Sequence, residues 1–275
     1  MRIPFTQVDA FADAPFAGNP AAVMPLSSWL DDDMLQRIAE ENNLSETAFI
    51  VPSEADEVDF ELRWFTPTDE VALCGHATLA SGHVVLSSDT ALSRVRFATR
   101  QAGVLEVARV DDGYALALPA WGPDAADLTP YVEALALDAV EATLWHEKGY
   151  ALIVVPDAAT VRALDPDQRA VKAAGQAVVI VTAPGDATAS GTTKGDATDV
   201  VSRVFTPAYG IDEDPVTGSA HAVMVPYWAK RLGRDRFTAF QASARGGHVA
   251  CRLDGDRVVL GGRCVTVIEG AFLLP

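Results

Sequence analysis

The residue best suited to moving a proton is Glu46, which lies in residues 43–49, directly before an apolar run. A single glutamate is usually a solvated surface residue. Apolar neighbours can, however, raise the pKa of a carboxyl group towards neutrality, which suits general acid–base chemistry. We therefore expect Glu46 to be the acid–base residue of the protein.

A thiol and an imidazole flank a glycine in the run Cys74-Gly75-His76. A thiolate at a helix N-terminus has a lowered pKa and could act as a base. For Cys74 we favour the alternative of a small buried residue. A histidine at a helix start commonly only satisfies nearby backbone groups, but the position of His76 opposite Ser219 in an internal repeat, described below, favours a role in the chemistry.

Each half of the chain places a glycine at the start of a predicted helix, in Gly75-His76 and in Gly218-Ser219. The N–H groups of a first helical turn have no partner within the helix, and the helix dipole favours an anion there. The matched pair of helix starts favours a carboxylate-binding site in a cleft between the halves. Backbone groups are needed for this because the formal net charge of −17 repels an anionic substrate.

Two further residues lie near the second helix start. Asp214 precedes a proline and is either a loop acid or a group that orients a proton carrier. His221 lies in an apolar pattern and is expected to be structural.

The order of predicted elements repeats along the chain. Residues 63–67 (RWFTP) match residues 203–207 (RVFTP), 74–77 match 217–220, and 101–103 match 245–247. Pro67 lies 8 residues before Gly75, whereas Pro207 lies 11 residues before Gly218, which indicates one small insertion before the second helix. The repeat predicts two related α/β halves, residues 1–118 and 119–263.

Hydrophobic alternation and turn residues predict the individual elements. A helix with Ser28 as its N-cap is expected to run to about Glu41, where Asn42-Asn43 ends it. Further helices are predicted over residues 75–86, 166–174 and 218–232, and strands over 3–11, 21–24, 47–51, 58–64, 95–97, 104–110, 114–118, 152–155, 177–181, 201–205, 237–240, 248–253 and 257–260. The stretch 182–199, rich in Gly, Ala, Thr and Asp, is expected to be an exposed loop.

The composition excludes several classes of function. The chain has 275 residues, 49% of them apolar, which is enough for one large domain or two of ordinary size. No apolar run is long enough for a bilayer, and residues 1–11 lack the apolar centre of a signal peptide, so we expect a cytoplasmic protein. The three cysteines form no C-x-x-C pair, which argues against structural zinc, and the lack of a basic stripe argues against nucleic acid as a partner.

Six blocks spread over nearly the whole chain carry a family likeness: residues 8–11, 18–21, 43–49, 74–78, 213–221 and 241–247. With them the chain resembles the PhzF-like family of phenazine-biosynthesis isomerases, within the diaminopimelate epimerase fold. The resemblance implies an α/β (α+β) protein of two pseudo-duplicated domains, each a highly curved, mainly antiparallel sheet around a central helix. It also implies that the tail, residues 264–275, returns to the first domain, that the protein is a homodimer, and that it uses no metal or organic cofactor.

The resemblance also assigns roles to residues. It implies Glu46 as the catalytic glutamate, supported by His76, Asp214 and Ser219. We expect Ser219 to hold a substrate oxygen, and His76 and Asp214 to position a polar group of the substrate or to assist proton transfer. The residues expected to bind the substrate are Asn19, Gly75, Thr217 and Gly218.

The epimerases of this fold use one cysteine from each half, but Thr217 stands where the second cysteine would be. This departure favours a glutamate-based, cofactor-independent isomerase that moves a proton on a small carboxylate-bearing substrate. Three alternatives stay open: a racemase or epimerase that uses Cys74 with Glu46, a non-catalytic small-ligand-binding protein of the same fold, and a metal hydrolase that uses His76 and Asp214. The sequence shows no clustered set of His, Cys and Asp that would favour the last.

Overall fold

The computed structural model describes residues 1–186 and 198–274. The chain divides into two compact units: Met1–Leu118 together with Gly261–Pro275 form unit 1, and Pro119–Leu260 form unit 2. Among the described residues, none of the helices combines the length and the apolar character that a bilayer span requires.

Among its described residues, unit 1 contains two α-helices, and its other regular elements are strands. Its elements are β1 (Arg2–Ala10), β2 (Asn19–Pro25), α1 (Asp32–Asn42), β3 (Glu46–Pro52), β4 (Phe60–Phe65), β5 (Glu70–Val71), α2 (Gly75–Ser88), β6 (Arg94–Thr99), β7 (Val104–Val110) and β8 (Gly113–Pro119). Unit 2 follows with β9 (Asp124–Ala125), α3 (Thr129–Ala134), β10 (Ala142–His146), β11 (Tyr150–Val154), α4 (Ala158–Arg162), α5 (Gln168–Ala174), β12 (Val178–Pro184), β13 (Val200–Thr206), β14 (Ile211–Glu213), α6 (Gly218–Leu232), β15 (Arg236–Gln241), β16 (Gly247–Asp254) and β17 (Arg257–Gly262). The chain returns to unit 1 with β18 (Cys264–Leu273), which pairs antiparallel with β1.

The sheet of unit 1 is mainly antiparallel and holds helix α2 against it. Strand β1 pairs antiparallel with β2, β3 with β4, and β6 with β7, whereas β2 and β3 run parallel. Helix α2 packs on β1, β2, β3, β6 and β7, and its residues from Gly75 to Gly82 are all buried. A Cβ on Gly82 would lie 2.4 Å from Val107 Cγ1, so the missing side chain lets the helix approach β7 closely. Helix α2 is therefore the central helix of this unit.

Unit 2 repeats this arrangement with the same pairings. Strands β11 and β12 run parallel, β12 and β13 antiparallel, and β15 and β16 antiparallel, and helix α6 packs on β11 and β16. A second apolar core, which includes Leu135, Val161 and Val171, joins the outer helices α3, α4 and α5 to β11, β12 and β13. In unit 1 the outer helix α1 buries Leu35 and Ile38 against Phe49 in the same way.

The strand registers show the repeat at the level of single residue pairs. Thr47 pairs with Phe65 in unit 1, and Val179 pairs with Phe205 in unit 2. The three-residue insertion before the second helix lies between Pro207 and Glu213, where a 3-10 helix over Pro207–Tyr209 has formed.

Two local predictions are wrong. Helix α1 begins at Asp32 with Asp31 as its N-cap rather than Ser28, because the Asp31 side chain accepts a hydrogen bond from the Met34 N–H. Thr182, Ala183 and Pro184 belong to β12 rather than to a loop, since they pair with β13. Most of the rest of that predicted loop, residues 187–197, lies outside the described residues.

Candidate active site

Glu46 is the first residue of β3 and lies beside Ala21 of the parallel strand β2. The start of the strand is fixed from the preceding helix, because the Asn42 side chain at the end of α1 donates a 3.1 Å hydrogen bond to the Thr47 hydroxyl. The Glu46 side chain is 13% exposed. The carboxylate is therefore largely removed from water but still accessible from one side.

The imidazole of His76 lies against this carboxylate. His76 is the second residue of α2, and its Nε2 is 2.9 Å from Glu46 Oε2. The imidazole itself is 4% exposed. The structure thus brings together, as an ion pair within one unit, two of the predicted catalytic residues.

The other ring nitrogen of His76 faces two more polar groups. Asn19 Nδ2 lies 3.1 Å from His76 Nδ1, and Cys74 Sγ lies 3.5 Å from the same nitrogen. Asn19 is fully buried at the start of β2. Gly18 precedes it at a φ of 65°, where an added Cβ would lie 2.2 Å from the Ala10 carbonyl oxygen, so the chain can make this approach only with glycine.

The buried surroundings change the pKa of both groups at the helix start. Burial, together with the negative charge of Glu46, raises the pKa of the Cys74 thiol to about 11. Burial acts to lower the pKa of His76, but the charges of Cys74 and Glu46 outweigh burial and place this pKa well above its ordinary value. Since the thiol is neutral near pH 7, the charge that acts on His76 there is that of Glu46.

Glu46, Cys74 and His76 are of metal-binding types, and one donor atom from each lies within 4.8 Å of the others. The sequence-based expectation that no such cluster exists is wrong for this trio. The closest contacts of the ring in this trio are Nε2 to Glu46 and Nδ1 to Cys74.

The start of α2 is not capped by a side chain. Cys74 is the N-cap residue in extended conformation, and no side-chain hydrogen bond closes the first turn. The N–H groups of Gly75 and His76 therefore belong to an uncapped helix start, beside the ring of His76. Such a helix start suits an anion.

The helix start of unit 2 is organised by a different set of residues. Thr217 is the N-cap of α6, and its hydroxyl donates to the Asp214 carboxylate. The fully buried Gln241 accepts a 2.9 Å hydrogen bond from the Thr217 N–H and donates a 2.7 Å one to the Asp214 carbonyl. Asp214, Thr217 and Gln241 therefore form one rigid polar network.

The predicted residues further into α6 have different surroundings. Ser219 is half-buried in the uncapped first turn, next to Gly218. His221 is fully buried, and its Nδ1 lies 2.8 Å from the Thr217 carbonyl oxygen. Burial lowers the pKa of His221 to about 4, so this ring is neutral near pH 7, as a structural histidine would be. The catalytic and binding roles predicted for Asp214, Ser219, Thr217 and Gly218 stay predictions.

The family model of phenazine biosynthesis-like proteins, PhzC-PhzF, matches residues 8–270. This chain belongs to that family. It is 47% identical to an uncharacterized isomerase of Pseudomonas aeruginosa over 275 residues, with all of both chains covered. The crystal structure of a PhzF-family phenazine biosynthesis protein from Enterococcus faecalis superimposes with a TM-score of 0.87 at 40% identity, again over all of both chains.

The fold of this family member is shared more widely. The structure of a predicted epimerase from Pseudomonas aeruginosa matches with a TM-score of 0.76 at 20% identity, over 99% of this chain and 100% of the other. The predicted fold class, two duplicated halves of the diaminopimelate epimerase type, is confirmed.

Sequence reasoning on this PhzF-family chain missed the role of Gln241. The residue lies in the block 241–247, which carries part of the family likeness, but it received no function. Its position at the end of a strand with alternating burial gave a signal, since a buried glutamine needs partners for its amide. Which backbone groups it would meet depended on the packing of β15 beside the start of α6.

Proposed function

We propose that this PhzF-family member is a cofactor-independent isomerase that moves a proton on a small carboxylate-bearing substrate, with Glu46 as the acid–base residue. The observation that carries the proposal is the ion pair of Glu46 with His76 at the uncapped start of α2. Isomerase is also the activity named for the relative from Pseudomonas aeruginosa.

The substrate carboxylate is proposed to bind the N–H groups of Gly75 and His76. Oriented backbone N–H groups and the positive end of the helix dipole attract an anion locally, against the net charge of −17. The same helix start holds His76, whose ring contacts Glu46. A carboxylate bound there would place its neighbouring carbon within reach of the Glu46 side chain.

The chemical step is a proton transfer that balances without any redox partner. The Glu46 carboxylate removes a proton from the carbon next to the substrate carboxylate, so that a C–H bond breaks and an O–H bond forms. The electron pair is delocalised into an adjacent double bond. Glu46 then returns the proton to a different carbon, which restores its own charge. A positioned acid–base residue contributes typically ~10²–10⁴-fold to the rate.

The geometry favours Glu46 over Cys74 as the base. A thiol with a pKa of about 11 keeps its proton near pH 7 and is a poor base. The matching position in unit 2 is Thr217, which offers no second thiol. For these two reasons the racemase alternative based on Cys74 is less well supported than proton transfer by Glu46.

We propose supporting roles for Asp214 and Ser219 in positioning the substrate, on the family resemblance and on the rigid network that holds Asp214. On the same resemblance we propose that the protein is a homodimer. Sedimentation that showed only a 29.1 kDa species at micromolar concentration would contradict the dimer.

The test is Glu46→Gln, which keeps the shape and hydrogen bonding of the side chain but cannot carry the proton. Purified protein is incubated in D2O with a panel of small unsaturated or amino-bearing carboxylic acids, including a dihydro-hydroxyanthranilate, and deuterium incorporation and isomer formation are followed by NMR. We expect Glu46→Gln to lose at least ~10²-fold in turnover of an active panel member.

Two controls make the result specific. Glu41→Gln removes an exposed carboxylate of α1 and should leave turnover unchanged. Val178→Ala changes the residue of unit 2 that matches Glu46 in register and should also leave turnover unchanged. Near-normal turnover of Glu46→Gln would contradict the proposal. Binding of a carboxylate from the panel by the wild-type chain without any proton exchange would contradict it as well.

A further inference from the structure

Two buried polar atoms face each other at the start of α2 without a hydrogen bond. His76 Nε2 lies 2.9 Å from Glu46 Oε2, but among the described residues neither atom has a hydrogen-bond partner. The imidazole is 4% exposed and the glutamate side chain 13% exposed. Buried polar atoms are nearly always hydrogen-bonded, and an unsatisfied pair is explained when both atoms bind the same third group, such as an ion.

A thiol completes a set of three donors of the kinds that bind zinc. Cys74 Sγ lies 3.5 Å from His76 Nδ1, and one donor atom from each of Glu46, Cys74 and His76 lies within 4.8 Å of the others. Thiolate, imidazole and carboxylate are the side-chain ligands that Zn²⁺ takes in proteins, usually in tetrahedral geometry. The thiolate favours such an ion over Mg²⁺ and Ca²⁺, which prefer oxygen ligands.

We propose that Glu46, Cys74 and His76 form a binding site for Zn²⁺, and that the bound ion inhibits proton transfer. Three protein ligands leave the fourth tetrahedral position to water or to the substrate. The Glu46 carboxylate then gives its lone pair to the ion and cannot take a proton from carbon. The inhibition rests on the proposed function of Glu46, whereas the binding of the ion does not.

The spacing of the three donor atoms needs only a small adjustment. Ligand atoms of a tetrahedral zinc ion lie roughly 3.3–3.6 Å apart, because zinc–ligand distances are about 2.0–2.3 Å. The contact between His76 and Glu46, at 2.9 Å, has to open slightly. The widest separation in the trio, which is within 4.8 Å, has to shrink by roughly 1 Å. Rotation of the Cys74 and Glu46 side chains about their single bonds supplies this movement.

The exchange of protons for the ion leaves the site neutral. Without an ion, the negative Glu46 carboxylate is paired with the positive His76 imidazolium, and the Cys74 thiol keeps its proton. Zn²⁺ binds the neutral imidazole and the thiolate, so the imidazolium and the thiol each release a proton as the doubly charged ion enters. A neutral buried site avoids the cost of an unpaired charge, and the net charge of −17 attracts cations to the chain.

The experiment uses Co²⁺ as a spectroscopic probe of the site and Zn²⁺ as its competitor. Chelator-treated protein is titrated with Co²⁺. We expect one ion per chain, with the visible bands of tetrahedral Co²⁺ and a thiolate-to-cobalt charge-transfer band in the near ultraviolet. An equivalent of Zn²⁺ should remove these bands, whereas an excess of Mg²⁺ should not. A titration of the wild-type chain without the thiolate band would overturn the inference, even if no variant folded.

Substitution of each ligand shows which side chains hold the ion. Cys74→Ala, His76→Gln and Glu46→Gln should each weaken Zn²⁺ binding at least ~10²-fold, since loss of a group that only supports a zinc ligand already costs about 10–100-fold. Affinity is measured by competition with a zinc-binding dye, and folding of each variant by circular dichroism. Wild-type affinity in a folded Cys74→Ala protein would overturn the inference.

Two matched controls remove the same kinds of side chain elsewhere. Cys251→Ala deletes a buried thiol of β16 that contacts the Val249 carbonyl oxygen, and His221→Gln deletes the buried imidazole of α6. Both variants should bind Zn²⁺ with wild-type affinity. If Cys251→Ala lost the charge-transfer band while Cys74→Ala kept it, the ion would lie elsewhere and the inference would be wrong.

The activity arm follows inhibition as a fraction of each protein's own turnover without metal. On an active member of the carboxylic-acid panel, saturating Zn²⁺ should lower wild-type turnover at least ~10²-fold, since it blocks the acid–base residue. Cys74→Ala should need at least ~10²-fold more Zn²⁺ for the same fractional inhibition. Full turnover of a zinc-saturated wild-type protein would contradict the proposed inhibition.

The two proposals fail in different ways. If Co²⁺ and Zn²⁺ bind through the Cys74 thiolate but Glu46→Gln keeps its turnover, the proposed function is wrong and the metal site stands. If Glu46→Gln loses turnover but Co²⁺ gives no thiolate band with the wild-type chain, Glu46 remains the base and the metal site is wrong.

Discussion

Arg63 in unit 1 and Arg203 in unit 2 stand at matching positions and make matching contacts. Arg63 binds both carboxylate oxygens of Glu70 at 2.8 Å, and Arg203 binds both oxygens of Glu213 at 2.7 and 2.8 Å. Each guanidinium also lies over the phenylalanine two residues further along its strand. The framework that leads into the central helix is therefore the same in both units.

The residues at the site differ between the same two units. By register Glu46 matches Val178, because they pair with Ala21 and Tyr150 at the starts of parallel strands. The helix starts place Cys74 and His76 where unit 2 has Thr217 and Ser219. Unit 1 therefore holds Glu46 and His76, the pair proposed for proton transfer, and unit 2 holds neutral hydroxyls with Asp214. Residues that serve folding are duplicated here, whereas residues that could serve proton transfer occur once.

The largest stability effect is expected at the shared framework. Arg63→Ala removes a guanidinium that is 3% exposed and leaves Glu70 and Asp32 without it, which should cost about 3–5 kcal/mol of unfolding free energy. Arg203→Ala should cost slightly less, since that side chain is 13% exposed. Chemical denaturation of both variants measures the difference.

Arg100→Ala is the matched control for Arg63, because Arg100 contacts Glu70 and Asp32 as well but is 52% exposed. Its expected cost is below about 1 kcal/mol. Equal losses of unfolding free energy for Arg63→Ala and Arg100→Ala would contradict this prediction. They would show that the buried ion pair of Arg63 stabilises the unit no more than an exposed one.

A smaller effect on stability is expected at His221, the buried histidine in the central helix of unit 2. The pKa of His221 is about 4 in the folded chain and near 6.5 when unfolded, so the unfolded chain binds more protons between these values. Its contribution to stability is present above pH 6.5 and is lost as pH falls to 4, by about 3 kcal/mol. His221→Gln should remove this part of the pH dependence, as denaturation at pH 7 and pH 4.5 would reveal. Identical pH slopes for the two proteins would contradict the assignment.

The smallest effect is expected at the two N-cap positions. Cys74→Ala deletes a buried thiol and should cost roughly 1–3 kcal/mol of stability while most turnover remains. Thr217→Ala breaks the hydroxyl bond to Asp214 and should cost about 1.5–3 kcal/mol. Loss of turnover in a folded Cys74→Ala protein would make the thiol a candidate base again, and the two helix starts would then differ in their chemistry as well as in their capping residues.

Several elements could be predicted from the sequence because local signals agreed. The helix over residues 218–232 has the predicted bounds, and Asn43 ends α1 in the left-handed conformation at a φ of 48°. The N-cap of α1 was misplaced because both Ser28 and Asp31 are good capping residues, and only the bond from Met34 distinguishes them. The sequence predicts a loop for residues 182–184, which form the polar end of β12. They pair with β13, which follows residues 187–197 in the chain, so no local signal indicates the pairing.

By itself the sequence determined the family, the duplication and the residue types available for proton transfer, because repeats, helix starts and motif blocks are written in local spacing. It did not determine that Asn19, Glu46 and His76 meet, since these three residues lie on two parallel strands and a helix start far apart along the chain. Only the tertiary structure sets which nitrogen of His76 faces which partner. That arrangement follows from the register of β2 on β3 and from the close packing of α2.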